Sequence, residues 1–193
     1  MPRHKKQPVA KIRIFAMLLM GGGLVLIGTA LSAIVFTRGR SGATPAEQAS
    51  VVPAPVNFAA PALTLPNTSG ETESLADYRG RVVLVNNWAT WCPPCKAEMP
   101  TLEAYFKAHH SEGLTVIGIE AGESAAQVQA FADSLGVSFP MWVDTETASL
   151  AAFHNASLPN SYVIDRTGTV RLAWIGEISR SMLEKHVTPL LSE

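Results

Sequence analysis

The hydrophobic positions divide the chain into three regimes. From Ile14 to Phe36 apolar residues run on without a single charge. From Thr37 to Val56 Gly, Ser, Ala, Gln and Pro dominate, including Pro45, Pro53 and Pro55, and no period of 2 or 3.6 residues survives. From Asn57 to Glu193 short β-branched runs alternate with helically spaced apolar residues, the pattern of one folded domain.

Within the third regime, Val82-Val83-Leu84-Val85 reads as a strand buried on both faces. A helix is expected from Pro93 to His110, with Gly113 in its exit. Leu114 to Ile119 gives a second central strand. Ser124 then caps a helix carrying Val128, Phe131, Ala132 and Leu135, which Gly136 ends. Met141-Trp142-Val143 is a short strand and Leu150 to His154 a short helix. Tyr162-Val163-Ile164 is a strand that the turn Asp165-Arg166-Thr167-Gly168 joins to Val170 to Trp174 as an antiparallel hairpin. A last helix is expected from Ser179 to Leu191, and a further hairpin around Ala60 to Ala76. Parallel βαβ followed by a hairpin and a helix is the order of a thioredoxin-like α/β fold, with helices on both faces of a central mixed sheet.

The first regime is long enough to matter. As a helix, Ile14 to Phe36 would span roughly 34 Å, enough for a bilayer core of about 30 Å. Arg3, Lys5, Lys6, Lys11 and Arg13 precede it and only Arg38 and Arg40 closely follow, which orients the N-terminus inward. The expected organisation is a basic cytoplasmic tail over 1–13, a transmembrane anchor over 14–36, a linker over 37–56 that its prolines keep extended, and a folded domain over 57–193. The domain would then lie on the extracytoplasmic side of the cytoplasmic membrane, held by a single pass. A cleaved signal peptide is the alternative, since Ala30-Leu31-Ser32-Ala33 offers small residues for a peptidase, but the apolar stretch continues beyond that site. The formal net charge of -1 gives no basic excess for a polyanion, which argues against nucleic acid as a partner.

The chain holds two cysteines, Cys92 and Cys95, at the junction of the buried strand and the following helix. A helix N-terminus carries partial positive charge and unpaired N–H groups, so a thiol there is stabilised as thiolate and can attack a disulfide. A second thiol at i+3 lies one turn along, where it can resolve the mixed disulfide. Cys92 is thus the attacking thiol and Cys95 the resolving one. A zinc site would need further ligands at suitable spacing, which the chain lacks, and no cofactor is implied. A purely structural bridge closes too small a loop to constrain the unfolded chain much. Trp91 can be core or a contact surface for substrate. Glu98, three residues after Cys95 on the same helical face, can exchange a proton with the resolving thiol if desolvated. Pro93 and Pro94 lack N–H groups, so only moderate acidification of Cys92 is expected. Glu120, at the end of a predicted strand, either faces the same end of the sheet or is exposed. The histidines, His109, His110, His154 and His186 among them, suggest surface roles.

The segment from Asn87 to Pro100, Asn-Trp-Ala-Thr-Trp-Cys-Pro-Pro-Cys-Lys-Ala-Glu-Met-Pro, resembles the active-site segment of the ResA and TlpA family of membrane-tethered thioredoxin-like proteins. Gly122-Glu123-Ser124, Gly136 to Pro140 and Leu158 to Asp165 are similar to later family segments, so the resemblance covers about Ala60 to Leu191. It implies a protein-disulfide reductase in which Pro159 is a cis-proline opposite the thiols. Trp91, Pro93, Pro94, Leu158 and Pro159 then contact substrate, and Glu98 tunes the thiols. Disulfide-containing proteins such as apocytochrome c are the implied substrates, and a membrane thiol carrier the implied electron donor. The chain departs from the pattern at Asn87, where an aromatic residue is usual, and at Asn160, where Thr often follows the proline. Asn86 stands where thioredoxin has a buried acid. Two other readings stay open: a peroxiredoxin-like peroxide reductase, whose thiol lies in a Thr/Pro-rich loop, and a binding module that needs neither thiol.

Overall fold

The computed structural model describes residues 52–193. The expected basic tail, transmembrane anchor and most of the linker lie outside the described residues, among which no helix is long and apolar enough to cross a membrane.

The domain is built on a six-stranded mixed sheet. In chain order its strands are β1 (Ala54–Ala59), β4 (Val82–Trp88), β5 (Leu114–Ala121), β6 (Met141–Asp144), β7 (Asn160–Ile164) and β8 (Thr169–Ile175), and across the sheet they run β1-β8-β7-β4-β5-β6. β4, β5 and β6 are mutually parallel, whereas β7 is antiparallel to β4 and β8, and β1 antiparallel to β8. A separate hairpin, β2 (Thr64–Pro66) with β3 (Thr72–Ser74), lies against the β6 edge through an Asn67–Trp142 bridge. That contact covers an edge that would otherwise expose unpaired backbone groups.

β4 is central, and its alternation feeds two cores. Val82, Leu84 and Trp88 face a cluster with Cys92, Cys95, Met99 and Leu102 from α1 (Pro93–His109), Val128 and Ala132 from α2 (Ala125–Leu135) and Leu183 from α4 (Arg180–His186). Val83 and Val85 face Leu63, Leu65 and Leu75 from the hairpin region, Trp142 from β6, Tyr162 from β7 and Phe153, which follows α3 (Ala148–Ala152). Truncating a fully buried side chain such as Leu84 to Ala should cost about 2–5 kcal/mol.

The expected elements are present, with shifts that have local causes. α3 begins at Ala148, earlier than expected, because the Asp144 carboxylate accepts from the N–H groups of Ala148 and Ser149, both at 2.8 Å. The last helix stops at His186 instead of running to Leu191. Pro189 cannot donate to a continuing helix, and a 3-10 turn over Thr188–Ser192 takes its place. β1 takes in Ala54, Pro55 and Val56, which the expected linker included. Pro55 is tolerated because β1 is an edge strand with one side of its backbone unpaired in the sheet.

Candidate active site

β4 delivers the chain to the C-terminal end of the parallel strands, where Ala89-Thr90-Trp91 leads into α1. Cys92 is the N-cap residue of α1, in extended conformation, and is joined to Cys95 in a disulfide. Pro93 and Pro94 occupy the first helical positions, where a missing N–H is tolerated. The donor left near the first sulfur is the Cys95 N–H, which donates to Cys92 Sγ at 3.4 Å. A thiolate on Cys92 would thus meet the helix N-terminus with few direct donors. α1 runs on through Pro100 to His109.

Accessibility separates the residues of the motif. Trp91 is 67 % exposed and is therefore a surface group and not part of the core. Pro93 and Pro94 are exposed beside it. Cys92 is 4 % exposed and Cys95 fully buried. A disulfide partner can reach Cys92 along the surface made by Trp91 and the prolines, while Cys95 is reached through Cys92.

Glu98 is fully buried one turn beyond Cys95. Its Oε1 accepts from Asn86 Nδ2 at 2.8 Å and its Oε2 from the Ile178 N–H at 3.1 Å. Burial drives its pKa up to about 8, against the pull of those two donors and with a smaller push from the charge of Glu177. Asn86 also donates to Ser161 Oγ at 2.9 Å, so its amide nitrogen spends both hydrogens holding this pocket together. The positioning roles of Asn86, Ser161 and Ile178 were not legible beforehand. They depend on the β4–β7 register, which puts Asn86 opposite Ser161, and on the loop after β8.

The opposite lip is the loop before β7. The Leu158–Pro159 bond is cis, as the resemblance implies, with Pro159 buried and Leu158 half-buried. Among the described residues the Leu158 backbone makes no hydrogen bond, which leaves it open to pair with an extended peptide. The two departures from the family pattern meet here. Asn87 and Asn160 are directly opposite in the β4–β7 register, and Asn87 Nδ2 donates to Asn160 Oδ1 at 2.7 Å. Asn160 Nδ2 in turn donates to the carbonyls of Ser157 at 2.6 Å and Asn155 at 3.4 Å.

A third polar group lies under the Thr90 loop. Glu120, opposite Trp88 in the β4–β5 register, is fully buried, and its Oε2 accepts from the Glu123 N–H at 2.7 Å. Burial raises its pKa, and the charges of Glu123 and Asp144 push the same way against the donors around it. The Thr90 hydroxyl donates to the Glu123 carboxylate, which ties the loop before Cys92 to the end of β5. Of the two positions open to Glu120, the structure shows the buried one.

The chain matches the AhpC/TSA family over residues 56–173. It is 32 % identical over 132 residues to the thiol-disulfide oxidoreductase ResA of Geobacillus kaustophilus, covering 68 % of this chain and 76 % of that protein. With the ResA of Geobacillus thermodenitrificans the identity is 30 % over 183 residues, 95 % of this chain and 97 % of the relative. The crystal structure of a thiol:disulfide interchange protein of the thioredoxin family from Chlorobium tepidum superposes with a TM-score of 0.62 at 30 % identity, covering 74 % of this chain and 99 % of that one.

Proposed function

The chain belongs to the AhpC/TSA family and within it to the ResA-type thiol-disulfide oxidoreductases, and from that premise we propose that it reduces disulfides in extracytoplasmic proteins through Cys92 and Cys95. The observation that carries this reading is the pairing of an N-capping Cys92, which keeps 4 % exposure, with a fully buried Cys95 backed by a buried Glu98 whose pKa is raised.

The chemistry balances as two exchanges. The Cys92 thiolate attacks one sulfur of a substrate disulfide, forming a mixed disulfide and releasing the other sulfur, which takes up a proton. Cys95 then gives its proton to ionised Glu98, and its thiolate attacks Cys92 Sγ. This breaks the mixed disulfide, leaves the Cys92–Cys95 disulfide and expels the second substrate sulfur as a thiolate, which takes up a proton from solvent while Glu98 returns its own to solvent. Two electrons and two protons pass to the substrate. Glu98 suits this step because its pKa of about 8 lies close to the range of a protein thiol, so proton transfer between them is nearly balanced. Trp91, Pro93, Pro94, Leu158 and Pro159 form the contact surface on either side of Cys92.

Apocytochrome c before haem attachment is the proposed substrate, and a membrane thiol carrier the proposed donor that re-reduces the pair. The apolar span 14–36 and the basic residues before it support an anchored domain on the extracytoplasmic side. Equilibrating the full chain with glutathione tests the direction. A potential well below about -200 mV is expected, and one near or above about -180 mV overturns the reducing role. A reporter enzyme that is active only after export, fused after residue 50, tests the topology and should be active. Peroxide consumption by the reduced chain should be negligible beside disulfide exchange.

A further inference from the structure

We infer that Asn87 and Asn160 form a positioning pair that holds the substrate-docking lip at Leu158 in register with the thiol-bearing strand, and so sets affinity for peptide disulfides without touching the thiol chemistry. The inference rests on the disulfide-exchange reading above. It starts from two buried amides on neighbouring antiparallel strands, both fully shielded from solvent. A cross-strand amide pair joins β4 to β7 at the end of the sheet where β4 turns toward Cys92.

What distinguishes the pair from an ordinary core contact is its second link. Asn160 spends its amide hydrogens on the carbonyls of Ser157 and Asn155, the residues leading into Leu158 and Pro159. The Asn155 side chain adds a turn by accepting from the Ser157 N–H at 3.0 Å. The loop is thus pinned at residues 155 and 157, one step short of the Leu158 backbone that remains unpaired. Asn87 fixes the other end of the chain of bonds to β4, five residues before Cys92. A Thr at 160 is too short to span both carbonyls, and a Phe at 87 would have no donor for a partner at 160. The two departures from the family pattern support each other, because without its partner each amide would lose the bond between Asn87 Nδ2 and Asn160 Oδ1; Asn87 Oδ1 has no partner among the described residues.

The lip and the thiols are fastened by different bonds. Glu98, Asn86 and Ser161 lie on the face of the sheet toward α1, whereas Asn87 and Asn160, adjacent in β4 and β7, point to the other face. Loosening the lip should leave the redox pair unchanged.

The test compares the reduced full chain acting on a synthetic peptide disulfide and on the small aromatic disulfide dithionitrobenzoate. Asn160→Ala is expected to raise KM for the peptide about tenfold with kcat little changed, while the rate with the small disulfide and the reduction potential stay as in the parent. Asn160→Thr suits a strand and keeps a hydroxyl, so it decides the matter if the Ala variant does not fold, and it should raise KM less but in the same direction. An unchanged peptide KM in a folded variant, or an equal loss on both disulfides, overturns the inference. A parent chain inert toward both disulfides overturns the exchange reading, and the pair's role with it.

Discussion

Two buried carboxyls flank the Cys92 loop, and they differ in their company. Glu98 meets an amide side chain and a backbone N–H, with Glu177 as the one acid adding to its shift, while Glu120 has Glu123 and Asp144 as acidic neighbours. Burial raises the pKa of both. For Glu98 each carboxyl oxygen accepts one hydrogen bond, from Asn86 Nδ2 and from the Ile178 N–H. For Glu120 nearby negative charge adds to burial, and the Glu123 N–H and the Thr90–Glu123 bond make it part of a clamp on the loop. Two carboxyls without solvent exposure thus sit in different settings, one suited to the proton relay proposed above and the other to a brace, and the difference lies in the neighbours.

The comparison can be broken in several ways, beginning with the largest effect. Cys92→Ser should reduce exchange about a thousandfold or more on every disulfide, measured by thiol release, because no group in either pocket replaces the attacking sulfur. Glu98→Gln should slow resolution of the mixed disulfide about a hundredfold, seen as accumulation of that species in rapid quench. The same variant should change the pH dependence of stability. A carboxyl at about 8 in the folded state and 4.5 in the unfolded one binds more protons when folded, so stability is greatest below pH 4.5 and declines as pH rises to about 8. Denaturant midpoints of Glu98→Gln should lose that decline.

Glu120→Gln should leave exchange within about twofold and raise stability at alkaline pH relative to acid pH, since it removes a carboxylate that burial and neighbouring acids disfavour. If it slows resolution as much as Glu98→Gln does, the distinction between relay and brace fails. The smallest effect concerns Cys92 itself. Its thiol should titrate only moderately below the usual value of about 8.5, and Pro93→Gly, which restores one N–H, should lower it by a few tenths. A parent value near 3.5 would show that donors other than the Cys95 N–H control the sulfur.

Much of this arrangement was legible in the sequence because it rests on local rules. The spacing of Cys92, Cys95 and Glu98 along one helix, the Ser124 cap and the Gly136 exit each depend on residues within a turn of one another. The surroundings of Glu98 were not legible, because its partners Asn86 and Ile178, and Ser161 which Asn86 also bonds, lie on three separate segments that only the tertiary fold brings together. The same holds for Asn87 and Asn160. Each stood out as a departure from the family pattern, but nothing in the linear chain says that they bond to each other. β1 was obscured for a different reason: Pro53 and Pro55 signal a loop, and only its position at a sheet edge makes the strand possible.

That edge strand also fixes the side from which the chain enters. Ala54 pairs with Ala173, two residues before Ile175, and Ile175 pairs with Asn160 next to Pro159, so β1 starts at the end of the sheet where the thiols lie. Three strand spacings separate it from β4, about 14 Å. A bulky tag joined directly at Val52, in place of the residues before it, is therefore delivered to the reactive rim of the domain and should compete with large protein substrates while sparing small ones. A tag at Glu193, which follows the turn after α4, provides the matching control.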